Sequence, residues 1–187
     1  MWRPTLDAHD ASLKEAAAAC AQWVAEVAAG RAPRWLTLTG VCGCGKTMLA
    51  QQIFDEASKY NPGNKGLWIP RDEGYSDGDR RPRNVALTAS KFGQLMMAGE
   101  YDLPEYLADD FLVLLDDLGA SRDKTQFQAD ALYRLYNQRQ GKWTITTTNL
   151  RLREISEKVD ERVASRLIRD GNQLVTITAP DYGIYKA

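Results

Sequence analysis

Residues 40–47 read GVCGCGKT, which matches the phosphate-loop pattern G-x-x-x-x-G-K-[ST]. The residues before them, 35–39 (WLTLT), are apolar and β-branched, as in a strand. Residues 48–54 (MLAQQIF) carry apolar side chains at helical spacing. A strand, a glycine loop and a helix in this order are the framework of a phosphate loop, whereas a chance glycine-rich turn needs no such flanks. We therefore predict that residues 40–47 bind a nucleoside triphosphate.

The chemistry of such a loop gives its residues separate roles. Backbone N–H groups at a helix N-terminus point at bound phosphates, and the helix dipole favours their negative charge. The Lys46 ammonium is expected to reach the β- and γ-phosphates, and the Thr47 hydroxyl is expected to bind Mg²⁺. The predicted nucleotide-binding residues are Gly40, Gly43, Cys44, Gly45, Lys46, Thr47 and Met48.

The composition is that of one globular domain spanning residues 1–187, with 44% hydrophobic and 26% charged residues. No apolar run approaches the ~20 residues of a membrane span, and the N-terminus has no apolar secretory core. We expect a soluble, cytoplasmic protein with no membrane partner. The net charge of −1 means that any binding of nucleic acid must use local basic patches.

The cysteines are too few for a disulfide framework: the chain has only Cys20, Cys42 and Cys44. Cys42 and Cys44 lack a second pair of ligands, and His9 is the only histidine, which argues against a zinc site. The two thiols in the loop are either small residues that fit there or groups whose oxidation would block nucleotide.

Strand and helix patterns alternate along the chain, which predicts a parallel sheet with helices on both faces. We expect an α/β fold with five core strands, at 35–39, 85–88, 111–115, 143–148 and 174–178. Residues 1–32 should contribute an N-terminal helix, at 10–29, that packs on this domain. The run 111–115 (FLVLL) is continuously apolar, as expected of a strand buried on both faces.

Residues 60–83 form a polar segment without periodicity, which we interpret as an insertion loop. Within it, 67–69 could form a short extra strand. Trp68 and Tyr75 alternate with basic residues, as in surfaces that bind single-stranded nucleic acid. Because acidic residues nearly balance these bases, a solvated insertion and a contact with nucleic acid or a partner both remain open.

Candidate site residues stand at the ends of three predicted strands, at the edge where ligands bind in parallel sheets: Gly40, Asp116 and Asn149. Asp116 follows the buried run and is placed to hold Mg²⁺ with Thr47. Asp117 would orient the attacking water or act as its base, although paired aspartates also occur in strand-end turns. Asn149 could bind that water or the γ-phosphate, or could simply cap a helix.

We predict a helix over 160–169, on which Arg162 and Arg166 lie four residues apart and therefore share a face. Surface helices commonly carry such arginines. An arginine that a neighbouring subunit supplies can also stabilise the charge on a transferring phosphoryl group. We favour Arg166, beside Ser165, for that role and place Arg162 second.

Four segments in this order resemble the AAA+ ATPases of the DnaC/IstB type, which are helicase loaders and transposition accessory ATPases. They are GVCGCGKT at 40–47, LLDDLG at 114–119, TTTNL at 146–150 and ERVASRL at 161–167. The segment LTASKF at 87–92 is also similar. The resemblance covers about residues 12–178, although Cys42 and Cys44 stand where the family more often has proline and threonine.

This resemblance implies a three-layer P-loop NTPase sandwich with ATP or ADP and Mg²⁺ as cofactors. It implies that Asp116 and Asp117 form the Walker B pair, and that Asn149 is sensor 1. Arg166 or Arg162 would be the arginine finger. The family's activities imply ATP hydrolysis that is weak in the monomer, nucleotide-dependent assembly into a ring or spiral, binding of single-stranded DNA, and recruitment or loading of a replicative helicase.

Few residues follow the last predicted strand, so we expect no C-terminal helical lid, and a neighbouring subunit would have to cover the nucleotide. Two other functions use the same motifs. One is an IstB-like transposition accessory ATPase. The other is a nucleotide-gated scaffold, or an inhibitor of a helicase loader, that hydrolyses no ATP.

Overall fold

A computed structural model of the chain describes residues 2–5, 10–61, 66–68, 84–120 and 125–182. Strands and helices alternate through these residues. In chain order they are α1 (Ala11–Ala28), β1 (Trp35–Gly40), α2 (Lys46–Ser58), β2 (Gly66–Trp68), β3 (Asn84–Thr88), α3 (Ala89–Met97), α4 (Leu103–Asp109), β4 (Leu112–Leu118), α5 (Gln126–Gln138), β5 (Trp143–Thr148), α6 (Leu152–Lys158), α7 (Glu161–Arg166) and β6 (Gln173–Ile177).

The strands form one sheet in the order β2-β3-β4-β5-β1-β6, and every neighbouring pair is parallel. The predicted α/β fold with five core parallel strands is confirmed. A sixth strand of three residues, β2, extends the sheet beside β3 and lies within one residue of the extra strand expected at 67–69. The rest of 62–83 lies outside the described residues, and with it the contact to nucleic acid or a partner that this segment could make.

Helices cover both faces of the sheet, because side chains alternate between its faces along each strand. On β4, Leu112 and Leu114 pack into a core with α1 and α2. Val113 and Leu115 on the same strand pack into a second core with α3 to α7. The predicted three-layer sandwich therefore consists of two helices, the sheet and five helices.

Helix α1 packs into the first of these cores. It begins after Asp10, whose carboxylate accepts from the Ser12 N–H at 2.7 Å as an N-cap. Trp23 is fully buried and meets the Trp143 ring edge-on, with 5.0 Å between ring centroids. Of the helices among the described residues, none is long and apolar enough to cross a bilayer.

The end of β4 differs from its predicted course. We expected the strand to end at Leu115, but it continues through Asp116 and Asp117 to Leu118. Its register with β5 is irregular between Leu115 and Leu118, and Asp117 adopts a left-handed φ of 57°. The strand continues with this local irregularity, so the backbones of the adjacent residues Asp116 and Asp117 have different conformations.

The last predicted helix is also shorter than expected. We predicted a helix over 160–169, whereas α7 ends at Arg166. A turn follows, in which Asp170 and Gly171 have left-handed φ values of 58° and 77°. An α-helix cannot continue through such residues, so the chain turns there and enters β6.

Candidate nucleotide-binding site

The predicted phosphate loop connects the carboxyl end of β1 to the first turn of α2. Gly43 and Gly45 both have left-handed φ, 73° and 96°, and Gly45 is the N-cap residue of α2. Side-chain-bearing residues are strained in this region, so both positions favour glycine. Gly40 is constrained by space instead, because a Cβ there would overlap the backbone oxygen of Ile177 and lie 3.0 Å from Cys44 Sγ.

Lys46, the first residue of α2, is buried and curls back over the loop. Its Nζ donates to the Val41 carbonyl oxygen at 2.6 Å and lies 3.7 Å from Cys44 Sγ. Cys44 is buried under the loop, whereas Cys42 is exposed. The ammonium group is therefore held at the loop by one carbonyl and one thiol, and no carboxylate neutralises it among its described partners.

Asp116 lies near the loop because β4 and β1 are parallel strands on either side of β5, and their carboxyl ends lie at the same edge of the sheet. Its Oδ1 accepts from Thr47 Oγ1 at 3.1 Å and from Thr147 Oγ1 at 2.5 Å. Thr147 Oγ1 in turn accepts from the backbone N–H of Asp117 at 2.9 Å. One hydroxyl on β5 thus fixes both the carboxylate of Asp116 and the backbone of Asp117.

Burial raises the pKa of Asp116 above the ordinary value of an aspartate, and the negative charge of Asp117 raises it further. The hydrogen bonds from Thr147 and Thr47 act in the opposite direction but do not cancel these effects. A carboxylate whose charge is disfavoured in this way gains from a cation placed beside it.

The donor set at Thr47 and Asp116 fits a magnesium ion. Mg²⁺ prefers oxygen ligands and is commonly held by one or two protein groups, with phosphates and water completing its shell. The Thr47 hydroxyl and the Asp116 carboxylate supply two such oxygens, 3.1 Å apart. Among the described residues no group of three or more histidines, cysteines or acids could hold a metal alone. The protein part of this site therefore suits a metal that arrives with a nucleotide.

Asn149 follows β5 directly, at the same edge of the sheet. Its side chain is exposed, whereas the neighbouring residues Thr148 and Leu150 are held by buried hydroxyls. Thr148 donates to the Leu118 carbonyl at 2.6 Å, and Thr39 donates to the Leu150 carbonyl at 2.8 Å. The next helix has its N-cap at Arg151. Asn149 does not fill the capping role that the sequence left open.

The two predicted arginines lie on α7, which packs on the other face of the sheet from α2. Arg162 is exposed, donates to Asp160 at 2.7 Å and Asp130 at 2.5 Å, and lies over the Tyr133 ring at 4.3 Å. These acids raise its pKa. Arg166 is half-buried and donates to the neutral Asn137 side chain at 2.7 Å. Neither arginine joins the loop and Asp116 among the described contacts.

Both arginines border an open groove of about 340 Å³ on this side of the molecule. It is lined by Tyr133, Glu161, Arg162, Ser165, Arg166 and Arg169. Three of these six residues are arginines, so the groove favours an anionic ligand or an acidic surface.

Sequence reasoning missed three threonines that organise the sheet edge. Thr39, Thr147 and Thr148 form the hydrogen bonds that hold the loop flank, the aspartate pair and the residue after Asn149. For Thr147 and Thr148 the sequence signal was the run TTT at 146–148, which we used as evidence for a strand and as part of a family segment, but not for these hydrogen bonds. Thr39 stood only in the strand predicted before the loop. The sequence also gave no sign that residues 177–182 lie against the loop, where Tyr182 N–H donates to the Gly43 carbonyl at 3.1 Å.

No family model matches the chain, and no curated protein sequence matches it. Solved structures do match. One, the crystal structure of the DnaC helicase loader, has 21% identity and a TM-score of 0.64 over 95% of this chain and 94% of that chain. The crystal structure of DnaI has 19% identity and a TM-score of 0.69 over 92% and 88%. AMPPCP-bound DnaA from Aquifex aeolicus has 19% identity and a TM-score of 0.64 over 90% of this chain and 47% of that chain.

At these identities the similarity establishes the fold. The chain shares its α/β P-loop fold with the DnaC helicase loader and DnaI, and the resemblance inferred from its four motifs is confirmed at the level of the fold. The match to the helicase loader extends over nearly the full length of both chains.

Proposed function

We propose that this protein is an ATP-dependent DNA replication accessory protein of the helicase-loader kind. The observation that carries the proposal is the convergence of Thr47, Asp116 and Thr147 at the mouth of a phosphate loop. The similarity in fold to the DnaC helicase loader over 94% of that chain supports the process. The DnaA structure with AMPPCP supports an adenine nucleotide as the ligand.

In this proposal the loop binds ATP through residues 40–48. The Lys46 ammonium leaves the Val41 carbonyl and binds the phosphates, which offer it a full negative charge in place of a neutral oxygen. Thr47 and Asp116 hold Mg²⁺, which neutralises phosphate charge when bound. The threonine network keeps Asp116 in place, so that little reorganisation accompanies binding.

Hydrolysis requires a positioned water and a positive charge that stabilises the transferring phosphoryl group. Asp117 accepts the proton of that water or orients it, because its backbone is fixed by Thr147 while its side chain stays partly exposed. Asn149 hydrogen-bonds the water or the γ-phosphate from the neighbouring strand. Arg166 comes from the next subunit, since its own helix lies on the other face of the sheet and its present partner is neutral.

Because one subunit then holds only part of the hydrolysis site, we propose that ATP drives self-assembly into a ring or spiral. Single-stranded DNA and a replicative helicase are the proposed partners of the assembly. Titrating protein at saturating ATP and Mg²⁺ tests this. Turnover per subunit should rise with protein concentration and again when single-stranded DNA is added, and mass measurement should show oligomers only with ATP or an analogue. Turnover that stays constant per subunit would contradict the shared site.

The partner is tested by binding assays with two purified proteins. The ATP-bound chain should retain a hexameric replicative helicase and should not retain a transposase of an IstB-dependent element. The reverse result would identify a transposition accessory ATPase. If ATP binds but is not hydrolysed under any condition, while the helicase is still retained, the protein is a nucleotide-gated scaffold or inhibitor.

A further inference from the structure

The chain after β6 crosses directly over the phosphate loop. Two backbone N–H groups, of Thr178 and Ala179, donate to Ser12 Oγ at 3.0 and 3.1 Å and fix the segment to the start of α1. Three residues later the Tyr182 N–H donates to the Gly43 carbonyl at 3.1 Å. Residues 177–182, which we call the crossing segment, are thus anchored at one end on α1 and at the other on the loop.

An acidic side chain of this segment, Asp181, lies on the loop itself. A Cβ added at Gly43 would overlap the whole Asp181 carboxylate, with even its more distant oxygen, Oδ1, at only 2.5 Å. Gly43 is therefore needed here for two reasons: its φ of 73° and the close approach of this carboxylate. Gly43, which the carboxylate approaches, is two residues before Gly45, the N-cap of α2.

The position of this charge matters because the loop is an anion site. Loop N–H groups and the N-terminal end of α2 favour negative charge, whether it belongs to a carboxylate or to a phosphate. While no nucleotide is bound, the Asp181 carboxylate lies on this loop. When a polyphosphate enters, the two like charges repel each other at short range.

We propose that Asp181 is an internal competitor of the nucleotide, which weakens its binding and must move away when the phosphates enter. The proposal rests on the proposed function, in that it takes the loop to be the nucleotide site. The crossing segment joins the loop to α1, so nucleotide entry also shifts or releases the contact between Tyr182 and Gly43. Asp181 thereby sets the concentration of ATP at which the protein becomes loaded.

The test compares dissociation constants of ATP, ADP and AMP for the wild type and for Asp181→Asn and Asp181→Ala. Because the effect is electrostatic, both variants should bind ATP more tightly, by about tenfold at low salt, with a smaller gain for ADP and the smallest for AMP. The gain should shrink at high salt, where charges are screened. Asp109→Asn, at an exposed residue of α4, is the control for a change of net charge and should leave the affinities unchanged.

Outcomes of this test separate the two proposals. Equal or weaker ATP binding by both Asp181 variants, or a gain that is the same for AMP as for ATP, would overturn the competitor role while leaving the loop as a nucleotide site. Loss of ATP binding in Asp181→Asn combined with Lys46→Ala would support the loop as the nucleotide site. Absence of nucleotide binding in the wild type and in both Asp181 variants would overturn the proposed function and, with it, the competitor.

Discussion

The sheet edge around Asp116 and the groove around Arg166 carry opposite charges. At the sheet edge a buried carboxylate is held by two hydroxyls, and nothing positive neutralises it among its described hydrogen-bond partners. In the groove, which lies on the helical layer of the other face, the exposed Arg162 is held by two acids and the half-buried Arg166 by the Asn137 amide. The sheet edge is suited to bind a cation, and the groove is suited to bind an anion. A phosphate chain with its metal ion satisfies both if two subunits meet, which is why we assign the two regions to one shared site.

The largest effect is expected from Arg166→Ala. Arginine fingers are worth about 10³-fold or more in turnover, so assembled protein should lose most of its ATP hydrolysis while the isolated chain binds ATP as before. Turnover of assembled protein and ATP affinity are the two measurements. Arg153→Ala serves as the matched control, since Arg153 is exposed on α6 and, among the described residues, forms its ion pair with Glu157 of the same helix. Equal losses in both variants would mean that the groove plays no special part.

Asp117→Asn tests the sheet edge, the other of the two regions compared. Removing a residue that orients or deprotonates the attacking water should lower turnover by about 100-fold, while ATP and Mg²⁺ still bind because Thr47 and Asp116 are unchanged. Single-turnover hydrolysis at saturating ATP measures this. Unaltered hydrolysis would show that the left-handed backbone of Asp117 merely bends the strand.

A smaller effect is expected on the free energy of unfolding, which should depend on pH because Asp116 is a buried carboxylate. Burial raises the pKa of Asp116 in the folded chain, so the folded state holds its proton to higher pH than the unfolded state does. The stability that this proton contributes is lost as pH rises through the raised pKa. Relative to the wild type without nucleotide, Asp116→Asn should therefore become increasingly stable as pH rises above about 4.

Denaturant unfolding at a series of pH values checks this expectation, with Asp109→Asn as the exposed control. A stability difference between Asp116→Asn and the wild type that stays constant or narrows with rising pH would contradict the unfavourable burial of Asp116.

The smallest effect is expected from Asp130→Ala in the groove. Its ion pair with Arg162 is exposed, and Asp160 still holds the same guanidinium. The free energy of unfolding should change by less than about 1 kcal/mol. Thermal or denaturant unfolding measures it. A larger loss would mean that the groove is a structural ion-pair network and not a surface prepared for a ligand.

The parts of this molecule that could be predicted from sequence are those fixed by local pattern. The phosphate loop, the buried run before Asp116 and the alternation of strands and helices each carry a short-range signal, and together they predicted the fold. The hydroxyl of Thr147 acts across two strands, and a β-branched residue in a strand gives no sign of such a partner.

The crossing segment was missed for a related reason. The contact between Asp181 and Gly43 joins residues far apart in the chain, and it depends on how the chain leaves β6. Nothing in the local sequence PDY at 180–182 specifies that path. The predicted end of β4 was wrong because Asp116 and Asp117 have low strand propensity. Asp116 nevertheless pairs with Thr88 of β3, and Leu118 pairs with Thr148 of β5, so the strand continues past both aspartates.

The most direct measurement mixes two inactive variants. Lys46→Ala should fail to bind ATP but still carries Arg166, whereas Arg166→Ala binds ATP but lacks the arginine. If the two regions form one site between subunits, ATP turnover of an equimolar mixture should exceed that of either variant alone at the same total concentration. A mixture no more active than its separate components, in samples shown by mass measurement to contain mixed oligomers, would contradict the shared site.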